Sequence, residues 1–247
     1  MKNHYISRFS TILIICSISF FLTAACTGSE TVTEQPEAED QQERSIADLE
    51  TIYWERIQES RMNFTDADVK FMHDMIPHHA QALIMSRLAP ENDASRSVQT
   101  LAARIINAQG DEIALMKRWL EDRDKPVPEI HIDGLEMMIH GLDDGHDGHG
   151  HDHGHGHNAM EHHHDMPGML TQEQLEELAA ARGSEFDRKF LEFMIEHHEG
   201  AVIMVDELFA ADGAASDREM FDLASGIYAE QVTEIERMKL MLEQMNE

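Results

Sequence analysis

The chain has 247 residues, of which 48 are Asp or Glu and 19 are Lys or Arg, for a formal net charge of −29. This acidic balance argues against nucleic acid and anionic membrane surfaces as partners, because phosphate binding needs a basic surface. The length and the 42% of hydrophobic residues are sufficient for a sizeable core in one domain or two small ones.

The first 25 residues have the features of a secretory signal peptide. Lys2 and Arg8 are basic, and the apolar run TILIICSISFFL that follows is too short to span a membrane. The stretch LTAAC, ending at Cys26, resembles a bacterial lipoprotein box, although Thr23 stands where that box usually has Leu. We therefore expect a protein of the bacterial cell envelope, lipid-anchored at Cys26 and facing the periplasm or the cell surface. An ordinary cleaved signal and an uncleaved anchor are the alternatives.

Cys16 would leave with the signal, so the mature chain would have no pair of cysteines for a disulfide. Soft-ligand chemistry would then depend on the thioethers of its methionines. Residues 26–44 are polar and acidic and predict a disordered tether. After the tether, apolar residues recur at helical spacing and predict a short helix; they are Ile46, Leu49, Tyr53 and Ile57.

An internal repeat organises the rest of the chain. Residues 65–88, TDADVKFMHDMIPHHAQALIMSRL, align with residues 184–207, SEFDRKFLEFMIEHHEGAVIMVDE, at an offset of 119 positions (184 minus 65). Both copies open with Ser/Thr-x-x-Asp, which is typical of a capping box, and continue with apolar residues at helical spacing. A short polar break follows each copy, and then a second matching helix: AQGDEIALMKRWL in one and AEQVTEIERMKLML in the other.

Each repeat therefore predicts a helical hairpin, and two packed hairpins form a four-helix bundle. No strand pattern is evident in the sequence, so the predicted fold class is all-α. The first hairpin with its preceding short helix occupies residues 45–121, and the second occupies residues 171–247. Within the second, TQEQLEELAAAR predicts a short capped helix from Thr171 to Arg182.

Residues 122–170 form a His/Gly/Asp-rich linker, whose middle, GHDGHGHDHGHGHNAMEHHHDM, cannot form a core. Flexible histidine tracts bind copper(II), zinc or nickel with little geometric selectivity, and a charge-balanced spacer is the alternative interpretation. The linker histidines predicted to bind metal are His146, His149, His151, His153, His155, His157, His162, His163 and His164, with His140 nearby.

The candidate metal ligands lie on the first helix of each hairpin. Residues three, four and seven apart share a helix face, so Met75, His78 and Met85 follow one stripe with His79 one step round. Imidazole and thioether together suit copper(I), whereas carboxylate and water suit magnesium or calcium. The predicted ligands are Met75, His78, His79, Met85, Met194, His197, His198 and Met204.

Methionines at helical spacing are more often core residues, and duplication could also preserve a packing motif. The same residue types at the same offsets in both copies nevertheless favour metal binding. Pro77 stands inside the first helix where the second copy has Glu196, and a proline there predicts a kink and two unequal sites.

The hairpin turns determine which residues of the second helices face the histidines. Turns near residues 92 and 213 place His78 near Gln109 and His197 near Gln231. We expect these amides to fix the ring tautomers by hydrogen bonds. The full set of candidate hydrogen-bond partners is Gln109, Glu112, Gln231 and Glu234. Met116 and Met238, further along, are predicted to pack.

MIPHHAQALIM, MPGML and SEFDRKFLEFMIEHHEGAVIM are similar to the bacterial family catalogued as domain of unknown function 305. The resemblance covers about residues 65–245 and rests on the doubled HHxxA signature with a following Gln-x-x-Glu-Ile. It implies a ferritin-like bundle and a role in periplasmic copper binding and resistance, with the histidines and methionines above as ligands. The His-rich linker and the acidic tether are additions that the family pattern does not require.

Three function hypotheses stay open. The first is a non-enzymatic copper(I) binder that sequesters the ion or passes it to another envelope copper protein. The second is a ferritin-like di-iron or di-manganese oxidase or store, but such sites use Glu-x-x-His pairs on bundle helices, and the sequence has this pair only at Glu161–His164 in the linker. The third is a zinc or nickel binder that uses the histidine tract.

Overall fold

Six helices and one β-hairpin make up residues 37–142 and 166–246, the part of the chain that the computed structural model describes. In chain order they are α1 (Glu37–Arg61), α2 (Asp66–Arg87), α3 (Arg96–Glu121), β1 (Glu129–Asp133), β2 (Glu136–His140), α4 (Gln172–Ala180), α5 (Gly183–Ala210) and α6 (Arg218–Met245). The chain divides into residues 1–47 and residues 48–247, and α2 to α6 all belong to the second unit. Among the described helices, none has the length and apolar character of a membrane span.

Two helical hairpins form the bundle. The first is α2 with α3 and the second is α5 with α6; α2 packs on α5, and α3 packs on α6. The long connection from α3 to α5 contains β1, β2 and α4, and one such crossover is a feature of ferritin-like bundles. The predicted all-α four-helix bundle of two tandem hairpins is confirmed.

Two clusters of buried side chains form the described core, and the internal repeat relates them, at an offset of 119 positions in the first helices (204 minus 85) and 122 in the second helices (238 minus 116). The Met85 cluster contains three methionines, Met85, Met194 and Met238. The Met75 cluster contains the repeat counterparts of those three, Met204, Met75 and Met116. Each cluster therefore takes a methionine from α2 of one copy and α5 of the other, which requires α2 and α5 to run antiparallel about an internal two-fold axis.

Two buried aspartates connect the hairpins. Asp68 on α2 accepts a hydrogen bond from the backbone amide of Ala215 at 2.7 Å, in the turn of the second hairpin. Asp187 on α5 accepts one from the backbone amide of Ser95 at 3.0 Å, in the turn of the first hairpin. Because both contacts join the start of one hairpin to the turn of the other, they fix the register of α2 against α5.

The two copies begin their first helices differently. Thr65 and Asp68 form the predicted capping box at the start of α2. The equivalent prediction for the second copy is wrong: α5 begins at Gly183, so Ser184 lies inside the helix, and Arg182 caps it with no side-chain hydrogen bond among the described residues. Asp68 uses one carboxylate oxygen for the other hairpin's turn and the other for Thr65, whereas both oxygens of Asp187 face the Ser95 amide, at 3.0 and 3.2 Å.

The linker contains a strand pair that the sequence analysis did not predict. β1 and β2 pair antiparallel, with Glu129 opposite His140, and Gly134 takes a positive φ of 61° in the turn between them. The strands are five residues each and only Ile139 is buried among their large apolar side chains, so the alternation was too short to be recognised. β1 packs on α2.

Helices α4 and α1 lie at two of the predicted segment boundaries. The predicted short helix from Thr171 is α4, which has a capping box of Thr171 with Gln174. Helix α1 begins at Glu37, so helical backbone extends into residues 37–44, which the sequence analysis assigned to the disordered tether. Local helix propensity in this Glu- and Gln-rich stretch accounts for the difference. The signal peptide, Cys26 and the tether up to residue 36 lie outside the described residues.

A buried ion pair joins the end of α3 to the start of α6. Arg123 contacts the carboxylate of Asp217 at 2.6 Å, and both side chains are almost completely buried. Trp119 donates to the same carboxylate at 3.0 Å, while the guanidinium lies 4.1 Å from the Trp119 ring centroid. Asp217 also caps α6 by accepting from the amides of Glu219 and Met220.

Replacing Asp217 with Ala should lower the free energy of unfolding by about 3–5 kcal/mol, because it leaves the Arg123 charge buried without its closest partner. Glu219→Ala is the matched control. Its carboxylate also contacts Arg123, at 3.2 Å, but is 44% exposed, so we expect a loss of about 0–1 kcal/mol. Urea denaturation measures the unfolding free energy of both variants. Equal losses would contradict the conclusion that Asp217 is the main partner of Arg123.

Candidate metal centre

Four imidazole rings meet between the two methionine clusters. His78, His79, His197 and His198, here called the histidine layer, are all completely buried. The ring centroids of His78 and His197 are 3.9 Å apart, with 39° between the ring planes. The sequence analysis placed one site on each hairpin; the antiparallel packing of α2 on α5 instead brings both His-His pairs into one layer.

Buried carboxylates hold the second histidine of each pair. His79 Nε2 lies 2.8 Å from Glu112 Oε2, and His198 Nε2 lies 2.8 Å from Glu234 Oε2. Each contact links the first helix of a hairpin to the second helix of the same hairpin. The predicted roles of Glu112 and Glu234 as hydrogen-bond partners therefore correspond to contacts in the structure.

Gln109 and Gln231 do not play the role that the sequence predicted for them. Both amides are buried, and neither has a hydrogen-bond partner among the residues that the structure describes. The prediction that they fix the ring tautomers is wrong because the hairpin register differs from the estimate by about one helical turn. As a result, the residue that faces the histidine is the glutamate three positions after each glutamine.

The hydrogen bonds determine which ring nitrogens keep a lone pair. His78 Nε2 lies 3.0 Å from the carbonyl oxygen of Pro167, which can only accept, so Nε2 carries the proton. The carboxylates facing His79 and His198 assign the same tautomer to those rings. Their Nδ1 atoms are buried lone-pair donors, and these atoms and both ring nitrogens of His197 have no hydrogen-bond partner within the described residues.

Burial keeps the His78, His197 and His198 rings neutral by lowering their pKa values. Burial, together with the neighbouring His79, lowers the pKa of His78 to about 3. Burial likewise lowers the pKa of His197 well below its ordinary value, with contributions from His78 and His198. The pKa of His198 is also lowered, mainly by burial, against the opposing effect of Glu234. A histidine must be neutral to bind a metal ion, so three of the four rings have the required protonation state at neutral pH.

A short segment covers the histidine layer, and its position was not predicted. Residues 166–170, MPGML, here called the strap, lie across α5 at Gly200, where a Cβ atom would come within 2.0 Å of the Pro167 carbonyl oxygen. The side-chain amide of Gln81 binds both backbone groups of Leu170, at 3.0 and 2.8 Å. Two features of the sequence could have indicated the strap: the MPGML motif, and the glycine that stands in the second copy at the position equivalent to Gln81.

The predicted methionines are divided between the two ends of the bundle. Met75 and Met194 are fully buried and precede the first histidine of their own copies by three residues, on the same helix face. Met75 and Met85 are ten residues apart in α2, about 15 Å along the axis, so they cannot bind one ion together. Met204, like Met85, lies on the far side of its own histidine pair. The helix continues through Pro77.

Among the described residues, no three His, Cys, Asp or Glu side chains are arranged so that they could hold a metal ion. The histidine layer offers imidazole nitrogens in pairs, and Met75 and Met194 precede these pairs by one helical turn on the same helix faces. The linker histidines from His146 to His164 lie outside the described residues, and the exposed His140 ends β2.

The doubled histidine helices agree with a known family model. Residues 68–242 match the family described as domain of unknown function (DUF305). The chain belongs to the DUF305 family. No curated protein sequence matches it.

Solved structures of DUF305 proteins show the same fold. A DUF305 protein from Streptomyces coelicolor is 24% identical over 73% of this chain and 94% of its own, with a TM-score of 0.56. A DUF305 fragment from Deinococcus radiodurans is 26% identical over 73% of this chain and 98% of its own, with a TM-score of 0.55. CopM in its Cu(I)-bound form is 27% identical over 72% of this chain and 96% of its own, with a TM-score of 0.48.

Acid should destabilise this DUF305 protein through the histidine layer. In the unfolded chain the His78 ring has its ordinary pKa of 6.5, whereas in the folded protein the pKa is about 3. Between these values the unfolded state binds more protons, so stability falls as the pH falls through this window. Each such histidine changes the unfolding equilibrium by up to about tenfold per pH unit.

Urea denaturation between about pH 7 and pH 5 measures this slope. His78→Gln should reduce the slope, and His131→Gln, on exposed β1, should leave it unchanged. Equal slopes in His78→Gln and the parent protein would contradict the assignment.

The strap should depend on the absence of a side chain at Gly200. In Gly200→Ala the new Cβ must displace the Pro167 carbonyl or α5, and we expect a loss of about 1–3 kcal/mol in unfolding free energy. Gly226→Ala is the matched control, since a Cβ there meets no described atom within 4 Å. Gly226 lies inside α6, so alanine should instead add about 1 kcal/mol. Stabilisation of both variants would refute the close contact.

Proposed function

We propose that this DUF305 protein is a non-enzymatic binder of a soft metal ion, copper(I) above all, in its histidine layer. The observation that carries the proposal is the set of buried, neutral imidazoles whose lone pairs have no hydrogen-bond partner in the described part of the chain. A buried polar atom without a partner is costly, and a bound cation would remove that cost. Met75 and Met194 supply thioethers beside these rings.

The ligand types favour copper(I) over zinc. Zinc sites in proteins have three or four protein ligands, and no three His, Cys, Asp or Glu side chains of the described chain are arranged in this way. Copper(I) is stable with fewer ligands and prefers sulfur and imidazole to oxygen. A pair of imidazole nitrogens with one thioether meets that preference.

A di-iron or di-manganese centre receives less support. Such centres need several carboxylates that are free to bind the metals. The two glutamates at the histidine layer, Glu112 and Glu234, each lie 2.8 Å from an imidazole nitrogen. Their geometry is that of a carboxylate that orients a histidine and strengthens its other nitrogen as a ligand.

Complete burial of the ligands favours sequestration over rapid exchange, because an ion cannot leave the histidine layer without displacing the side chains packed around it. Together with the signal-like N-terminus, this supports an envelope protein that keeps copper(I) out of circulation or passes it slowly to another envelope copper protein. Anchoring through lipid at Cys26 and capture of copper(II), zinc or nickel by the linker histidines are further parts of the proposal.

Anaerobic titration against a chromogenic copper(I) chelator tests the proposal. The mature chain is used with its linker histidines changed to Asn, so that only the histidine layer contributes. We expect stoichiometric, tight binding that is lost in the double variant His78→Ala, His197→Ala. Retention of about two iron atoms per chain without copper(I) affinity would refute the proposal and support the di-iron alternative.

The methionines have a matched control within the same cluster. Met75→Leu and Met194→Leu should each weaken copper(I) binding, because a thioether is lost while the apolar volume is kept. Met72 is equally buried but is not a proposed ligand, and its repeat counterpart is already a leucine, Leu191. Met72→Leu should therefore bind copper(I) like the parent protein. Equal weakening in Met72→Leu would indicate a packing effect.

A further inference from the structure

A cavity of about 120 Å³ opens between α2 and α5 at one end of the bundle. Its apolar part includes Ala67 and Met204, and its charged part is formed by Lys70, Asp74 and Glu207. Met204 is 6% exposed, whereas its repeat counterpart Met85 is completely buried. Met204 is therefore the one of this related pair that lines the cavity and keeps a small exposed area.

The repeat explains why this end is open. At the opposite end of the bundle, the residue equivalent to Ala67 is Phe186 (67 plus 119), which is completely buried in the Met85 cluster. The residue equivalent to Asp74 is Phe193, and the residue equivalent to Glu207 is Leu88. Both pack against that cluster.

The same backbone arrangement is thus closed by large apolar side chains at one end and left open with carboxylates at the other. Compared with the closed end, the open end has Ala67 in place of an aromatic ring and carboxylates in place of two apolar side chains. The open cavity is unfavourable for packing alone, because its lining lacks the contacts that a filling side chain would make.

The chemistry of the cavity suits a soft cation. Asp74 is paired with Lys70, whose side chain is 77% exposed, and Glu207 is exposed, so the rim carries one net negative charge. Carboxylates at a rim raise the local concentration of cations, and a thioether below them selects copper(I) or silver(I) from the harder ions.

Thioethers continue inward from this point. Met204 belongs to the same packed cluster as Met75 and Met116. Met75 lies one helical turn from His78, on the same face. The cluster that lines the cavity therefore also contains the thioether nearest to His78 in the sequence of α2.

We propose that this cavity is the entrance through which a soft monovalent cation reaches the buried histidine layer, with Met204 as the first sulfur contact. The inference rests on the proposed function, since it assumes that the layer binds copper(I). It adds a direction: the ion enters at the Ala67 end of the bundle, and the Phe186 end stays closed.

The test separates the rate of uptake from the affinity. Copper(I) is supplied as its bicinchoninate complex, and the loss of that complex is followed by anaerobic stopped-flow absorbance with the mature chain whose linker histidines are Asn. Ala67→Phe copies the residue of the closed end and fills the cavity. We expect uptake to slow by about tenfold or more, with the equilibrium affinity unchanged, because a blocked path acts on the association and dissociation rates together.

Two further variants complete the test. Phe186→Ala, the matched control, opens the opposite end and should not slow uptake. Ala67→Leu fills the cavity with a smaller side chain and gives an intermediate rate, and it keeps the test valid where Ala67→Phe fails to fold. Uptake by both Ala67 variants at the parent rate would overturn the entrance, as would a loss of affinity equal to the loss of rate. Absence of copper(I) uptake by the parent would instead refute the proposed function.

Discussion

The packing of α2 against α5 at the His78–His197 ring contact is the interaction on which the rest of the structure depends. Two rings with centroids 3.9 Å apart require the helices to cross at one register. The buried carboxylates of Asp68 and Asp187 hold that register from the two ends, through the turns of the opposite hairpins. The two methionine clusters then follow as the apolar layers on either side of the crossing.

This arrangement places polar groups where a bundle would ordinarily have leucine. Each buried nitrogen or oxygen without a partner costs about 1–3 kcal/mol, and the histidine layer contains several of these within the described chain. The flanking Met75 and Met85 clusters supply the apolar burial that keeps the bundle folded. The buried nitrogens at the centre of the bundle therefore lower its stability but leave lone pairs available to a ligand, as is usual in a binding site.

The repeat made much of the fold predictable. Two copies of one helical pattern are sufficient to predict two hairpins, their helices and the inward side of His78 and His197, because these are properties of local periodicity. The capping box at Thr65 was predictable for the same reason, and its absence at Ser184 was not. In that copy the carboxylate of Asp187 binds the backbone of a residue 92 positions away, which no local pattern records.

The features missed in the site have a similar cause. Whether Gln109 or Glu112 meets the histidine depends on one turn of hairpin register, and an estimate from turn position is not accurate enough to decide it. The strap depends on close contact between Pro167 and Gly200, which are far apart in the sequence. The pairing of β1 with β2 was missed because each strand is short and mostly exposed.

The strap has a consequence for how this molecule could have arisen. Gln81 holds the strap by both atoms of its amide, and the equivalent position of the other copy is Gly200, which leaves room for the strap to pass. Gln81 binds the strap through its side chain, whereas Gly200 has no side chain and so leaves space for the strap. One residue type cannot meet both requirements. A homodimer of identical hairpins would have glutamine in both copies or glycine in both copies at this position. Only after both hairpins were joined in one chain, and could mutate independently, was an asymmetric cover of this kind accessible to evolution.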